Sequence, residues 1–219
     1  MSISGKAKLA GVVGWPIVHS LSPRLHSYWL DAHGVDGAYV PLAVPREDFA
    51  RVIESLRLAG FAGVNVTVPH KESAFAIAHE LDDAAQAAGA VNLLLFGGGK
   101  ITGRNTDAAG LAASLSEALV KNALNGKDAV LLGTGGAARA AILALAELGV
   151  REIRIVGRNH GRGEVLAGEF SARVKTPLRA MAWHDWAKAA DGAGVLVNAT
   201  SAGMSGKEAL ELPLDPLPV

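Results

Sequence analysis

An apolar run, Ala129-Val130-Leu131-Leu132, leads into Gly133-Thr134-Gly135-Gly136-Ala137-Ala138, and an alanine-rich helical segment follows. A strand, a glycine turn and a helix in that order suit the binding of a dinucleotide. The first glycine permits a tight turn, and the second lets a pyrophosphate approach the backbone. The small Ala138 lets helix and strand pack closely, with the phosphates at the helix N-terminus. A glycine-rich turn without a ligand is the plain alternative. The next strand, Glu152-Ile153-Arg154-Ile155-Val156, is followed by Gly157-Arg158-Asn159-His160-Gly161-Arg162, with no acid before Glu164. A carboxylate there would take the ribose hydroxyls of NAD. Arg158 and Arg162 instead suit the 2′-phosphate of NADP, through charge and a planar fork of donors. A helix starting at residue 158 would put both guanidiniums on one face by i,i+4 spacing; a clamp on a loop is the other option.

Three segments of the N-terminal half press polar residues between apolar ones. In Gly14-Trp15-Pro16-Ile17-Val18-His19-Ser20-Leu21-Ser22-Pro23, Ser22 reads as a helix N-cap with proline next. Ser20 has no such reading, and two hydroxyls at a helix N-terminus would also make a small anion site. In Asn65-Val66-Thr67-Val68-Pro69-His70-Lys71, Asn65 and Thr67 share one strand face, and Val64, Val66 and Val68 share the other. Pro69 stops that strand, and Lys71 starts a helix at the carboxyl edge of the sheet, where open α/β sheets bind ligands. A lysine there opposes the helix dipole, so it either serves a ligand or points to solvent. In Gly103-Arg104-Asn105-Thr106-Asp107, Thr106 or Asp107 caps a long helix, and Asn92 stands as a single polar residue before a strand. The seven histidines form no cluster: His26 and His33 are separated by roughly 10 Å of helical rise. No metal is expected.

These residues need elements to hold them. The patterning predicts strands over 7–13, 39–44, 63–68, 92–96, 100–105, 129–133, 152–157 and 194–200. Helices are predicted over 23–33, 46–59, 71–88, 107–121, 136–148 and 163–172, and Gly97-Gly98-Gly99 reads as a hairpin. Such alternation predicts an α/β fold with parallel sheets covered by helices. A boundary near Asn105 gives two domains, 1–105 and 106–219. If the last strand belongs to the second, Asn198, Thr200 and Ser201 fall near the cofactor.

Composition narrows the function classes. Half of the 219 residues are hydrophobic and 19% are charged, which excludes intrinsic disorder. Lys plus Arg equals Asp plus Glu at 21 each, so the basic surplus of a nucleic-acid binder is missing. No apolar run approaches the roughly 18 residues of a membrane helix, and the first residues lack the apolar core of a signal peptide. With no cysteine, disulfides and thiolate metal centres are excluded. A soluble cytoplasmic protein is the expectation.

In their order along the chain, GWPIVHSLSP (14–23), NVTVPHK (65–71), GAVN (89–92), GRNTD (103–107), GTGGAARA (133–140) and NATSAGM (198–204) resemble the shikimate dehydrogenase family. The resemblance covers essentially the whole chain. It implies a substrate domain, 1–105, followed by a Rossmann-type NADP-binding domain, 106–219. It also implies reversible reduction of 3-dehydroshikimate to shikimate by NADPH, in aromatic amino-acid biosynthesis. Ser20 and Ser22 would hold the substrate carboxylate. Thr67, Lys71, Asn92 and Asp107 would contact ring hydroxyls, with Lys71 and Asp107 as the catalytic pair. Gly133, Thr134, Gly135, Gly136 and Ala137 would carry the pyrophosphate, and Arg158, Asn159 and Arg162 the 2′-phosphate end. The partner implied is a small molecule, with no nucleic acid and no membrane; oligomeric state is not legible.

The chain departs from the family pattern at Ser27, where asparagine is usual, and at Gly157-Arg158-Asn159, where Asn-Arg-Thr is usual. Family members also continue past the position of Val219 through a further strand and helices; if the protein itself ended at Val219, exposed apolar surface would be expected. Quinate or aminoshikimate dehydrogenases on the same scaffold are close alternatives. A non-catalytic NADP-binding regulator is a distant one, which the presence of both Lys71 and Asp107 opposes.

Overall fold

A strand buried on both faces needs helices on both sides, whereas a hairpin leaves its strands antiparallel and needs no crossover. Both situations occur in this chain. The computed structural model describes residues 3–204 and 207–218, and the chain divides into two compact units, Met1–Thr106 and Asp107–Val219.

The first unit contains strands β1 (Lys8–Gly14), β2 (Gly37–Ala43), β3 (Phe61–Val66), β4 (Glu80–Leu81), β5 (Leu93–Gly97) and β6 (Lys100–Arg104). Its helices are α1 (Ser22–Ala32), α2 (Phe49–Leu58), α3 (Lys71–Ile77) and α4 (Asp83–Ala88). The strands form one sheet in the order β2-β1-β3-β5-β6-β4. β1 lies parallel to β2 and β3, but β5 is antiparallel to β3 and β6. The sheet is therefore mixed, where alternation alone predicts a parallel one. The cause is the turn at Gly98-Gly99, which reverses the chain at once. Alternation along β1 separates two cores. Val13 packs with Val64, Val66, Phe49 and Ile53 on one face, and Val12 with Ile17 and Tyr39 on the other. Each fully buried side chain of the Ile or Phe type stabilises by about 1.5–3 kcal/mol before chain entropy is subtracted.

The single helix expected over 71–88 is two helices with a short strand between them. β4 pairs with β6, and α4 restarts behind Asp82, whose carboxylate accepts from the Ala85 N–H at 2.7 Å. That cap was hidden inside an alanine-rich run of uniform helical character.

The second unit contains α5 (Asp107–Ala118), β7 (Asp128–Leu132), α6 (Gly136–Glu147), β8 (Glu152–Gly157), α7 (His160–Ser171), β9 (Leu178–Ala182), α8 (Trp186–Ala190) and β10 (Ala193–Asn198). Its sheet is parallel throughout, in the order β10-β7-β8-β9. Every residue of β7 is buried. Ala129 and Leu131 face Ile142, Leu145 and Phe170, while Val130 and Leu132 face Met181, Trp186 and Ala189. β9 and α8 escaped the sequence reading: Leu178-Arg179-Ala180-Met181-Ala182 is a short edge strand with a charge inside it, and α8 has only five residues. α5 stops at Ala118, not 121, and Asn122 then takes a left-handed φ of 62°. At the start of β7 the buried Asp128 accepts two bonds from Arg151, both at 2.7 Å, and pairs with Arg154. No helix among the described residues is long and apolar enough to cross a membrane.

Candidate active site

In the first unit the chain leaving β1 and β3 is held by cross-bonds. Thr67 N–H donates to the Val13 carbonyl at 2.9 Å, Trp15 N–H to Val68 at 3.0 Å, and Val44 N–H to Gly14 at 3.1 Å. Gly14 makes this approach possible. A Cβ there would lie 2.6 Å from Thr67 Cγ2 and 2.9 Å from Ile17 Cδ1. Thr67 is thus seated against the turn that leads to Ser20.

Lys71 opens α3, as expected, and its carbonyl accepts from the Val91 N–H at 2.9 Å. The next residue, Asn92, accepts from the Val66 N–H at 2.8 Å through its own carbonyl. Its side chain is fixed from both ends: Nδ2 donates to Thr106 Oγ1 at 2.9 Å, and Oδ1 accepts from the Thr106 N–H at 3.1 Å. Thr67, Lys71 and Asn92, all half-buried, are therefore gathered at one edge of the sheet. Sequence reading isolated Asn92 because its partner is fourteen residues away and looked like a helix cap.

His70 also escaped it. Its ring is fully buried, stacks on Phe49 at 4.5 Å, and bonds the Val44 carbonyl through Nε2 at 2.7 Å. Burial pushes the imidazole below its ordinary value, so the neutral ring donates from Nε2. Nδ1 finds no hydrogen-bond partner. His70 anchors the start of α3, and with it the backbone of Lys71, to the exit of β2. A lone histidine before a lysine gave no hint of that.

The N-cap reading of Ser22 is corrected. Ser22 is the first residue inside α1, Leu21 occupies the cap position, and no side chain caps the helix. Ser20 Oγ instead accepts from the Ser22 N–H at 3.3 Å. Both serines are half-buried.

In the second unit the glycine turn follows β7. Gly133 has a φ of +110°, and a Cβ there would meet the Ala199 carbonyl oxygen at 2.9 Å. Its N–H donates to the Val156 carbonyl at 3.0 Å, so the turn sits between the ends of β8 and β10. No side chain caps α6, and a Cβ on Gly135 would meet nothing within 4 Å. The first N–H groups of a twelve-residue helix with open space above the cap form a cradle for a phosphate. A pyrophosphate fits the residues Gly133, Thr134, Gly135, Gly136 and Ala137. The loop after β10 lies beside this turn: Asn198 Oδ1 accepts from Thr200 N–H at 3.0 Å and from Thr200 Oγ1 at 2.7 Å. Ser201 follows, exposed.

Of the two arrangements expected for Arg158 and Arg162, a helix starting at residue 158 is not formed. α7 begins at His160, because Asn159 Oδ1 accepts from the Arg162 N–H at 3.1 Å and caps it. Arg158 stands in the loop before the helix and Arg162 in its first turn, both exposed. Asp107 opens α5 and is half-buried. Among the described residues, no group of three or more histidine or acidic side chains could hold a metal ion.

Residues 12–94 match the shikimate dehydrogenase substrate binding domain, and residues 114–205 match shikimate / quinate 5-dehydrogenase. A protein of Paramagnetospirillum magneticum named shikimate dehydrogenase (NADP(+)) is 45% identical over 217 residues, covering 99% of this chain and 77% of that one. Among solved structures, the shikimate dehydrogenase of Aquifex aeolicus is similar with a TM-score of 0.86 at 30% identity, covering 99% of this chain and 77% of that one. The shikimate 5-dehydrogenase of Thermus thermophilus, solved with NADP(H) and shikimate, gives a TM-score of 0.80 at 36% identity, covering 96% of this chain and 75% of that one. This chain belongs to the shikimate dehydrogenase family.

Proposed function

We propose that the chain catalyses the reversible NADPH-dependent reduction of 3-dehydroshikimate to shikimate, in aromatic amino-acid biosynthesis and in the cytoplasm. The observation that carries this reading is the gathering of Thr67, Lys71 and Asn92 at one sheet edge, in a chain 45% identical to a named shikimate dehydrogenase. Bound NADPH supplies the hydride that reduces the ketone carbon. The Lys71 ammonium donates a proton to the oxygen as it becomes a hydroxyl, and takes one back in the oxidation. Asp107 accepts a hydrogen bond from a substrate hydroxyl. Ser20 and Ser22 donate to the substrate carboxylate, while Thr67 and Asn92 fix the remaining ring hydroxyls. Residues 133–137 receive the pyrophosphate on backbone N–H groups, and Arg158, Asn159 and Arg162 take the 2′-phosphate end.

The test is turnover. With shikimate and NADP+, the near-ultraviolet absorbance of NADPH should rise, and faster than with equal quinate. Equal or faster turnover of quinate would favour the quinate alternative. Binding of NADP+ without turnover of either acid would favour a non-catalytic module.

A further inference from the structure

On the sheet face covered by α1, Tyr39 of β2 stands level with Ala10 of β1, and Asn65 of β3 stands level with Val12. Tyr39 therefore reaches diagonally across β1, over the small Ala10, and its Oη donates to Asn65 Oδ1 at 2.7 Å. The ring is held in place from above. His26 of α1 lies flat on it, with centroids 4.0 Å and planes 4° apart, and Trp29 meets the edge of His26 at 5.2 Å. Burial pushes the Tyr39 phenol up to about 12, so it keeps its proton throughout the neutral range.

An asparagine amide can sit in two orientations of nearly equal shape and opposite polarity. Asn65 lies on the same strand face as Thr67, one pleat before it, and both are half-buried. With Oδ1 turned toward Tyr39, the amide presents its Nδ2 donors on the opposite side. We propose that Tyr39 is a positioning residue that locks Asn65 as a donor, matched to a carboxylate or hydroxyl oxygen of the substrate and mismatched to a donor group. This rests on the hydroxy-acid reading of the site given above. Without the lock, the flipped orientation, which turns a carbonyl toward the substrate oxygen, loses its penalty.

Tyr39→Phe keeps the ring and its stack and removes only the O–H. KM for shikimate should rise about 3- to 10-fold, as expected for one neutral hydrogen bond, with kcat within about twofold. Asn65→Ala should raise KM by itself, and adding Tyr39→Phe to it should change nothing further. Additive KM losses, or a lowered melting temperature with KM unchanged, would overturn the proposal. If the wild type neither binds nor turns over shikimate, the hydroxy-acid reading fails separately. The side-chain amide signals of Asn65, followed by NMR without ligand, then decide the positioning. Tyr39→Phe should shift them while the backbone signals of β3 stay in place, and unshifted side-chain signals would refute it.

Discussion

In the second unit the candidate ligand groove is made of backbone. Gly133 holds a φ that side chains avoid, Gly135 leaves space open, and the N–H groups of α6 supply the donors. In the first unit the candidate groups are side chains, each held by another: Asn92 by Thr106, Asn65 by Tyr39, and the backbone at Lys71 by His70 through Val44. The sheets differ as well: that of the second unit is parallel throughout, whereas that of the first is mixed and carries the half-buried Asn65 on β3. A backbone-made site is defined by a few consecutive residues. A side-chain-made site is defined by contacts between residues far apart in sequence, and its chemistry is more easily broken by one substitution.

The largest break should come in the first unit. Lys71→Ala should lower kcat by about 10²–10⁴-fold, the usual worth of a positioned acid–base group, and move KM little. Steady-state kinetics would show it, and a near-normal kcat would remove Lys71 from proton transfer. Asp107→Asn should also lose activity, and if the two groups serve one proton-transfer step, the double variant should lose less than the sum.

A break of the opposite kind is expected in the second unit. Asp128 has almost no exposed side chain and is paired with Arg151 and Arg154, so Asp128→Asn removes the buried charge and leaves Arg154 paired with Glu152 alone. Urea unfolding should show a loss of about 1–3 kcal/mol, with kcat per folded molecule unchanged. A kinetic defect at full stability would mean that this ion cluster reaches the chemistry.

Acid should separate the units by a smaller margin. Burial holds His26 and His70 in the first unit below the ordinary 6.5. The unfolded chain binds those protons more readily, so that contribution to stability is lost as pH falls below about 6.5. In the second unit the hydrogen bonds from Arg151, opposed by burial and helped by the charges of Arg154 and Arg151, hold Asp128 below its ordinary 3.8. Its contribution is complete above that value and is lost as pH falls through the depressed one. Hydrogen exchange followed from pH 8 downward should show the first unit losing protection before the second. Loss at one common pH would count against the assignment.

The same contrast explains what the sequence disclosed. The turn at 133–138 was legible because its requirements are local: a strand, glycines and a helix start. The mixed sheet was half legible, since the Gly98-Gly99 turn announced a hairpin but alternation elsewhere argued for parallel strands. The break at Asp82 was missed because alanine-rich sequence around it is uniformly helix-favouring, and β9 because an edge strand needs little apolar character. Ser22 was misread as a cap because Pro23 sits equally well in the second helical position. The bonds of Tyr39, His70 and Thr106 span fourteen to twenty-six residues, and no local pattern encodes such pairs.

Calorimetric titration of Arg158→Ala with NADP+, NAD+ and shikimate tests the division of labour most directly. A charged hydrogen bond of about 1.5–3 kcal/mol predicts NADP+ binding weakened about 10- to 150-fold, with NAD+ and shikimate affinities nearly unchanged. Equal losses for NADP+ and NAD+, or a matching loss for shikimate, would mean that Arg158 supports the fold and not the 2′-phosphate, and the assignment of NADP to the second unit would fall with it.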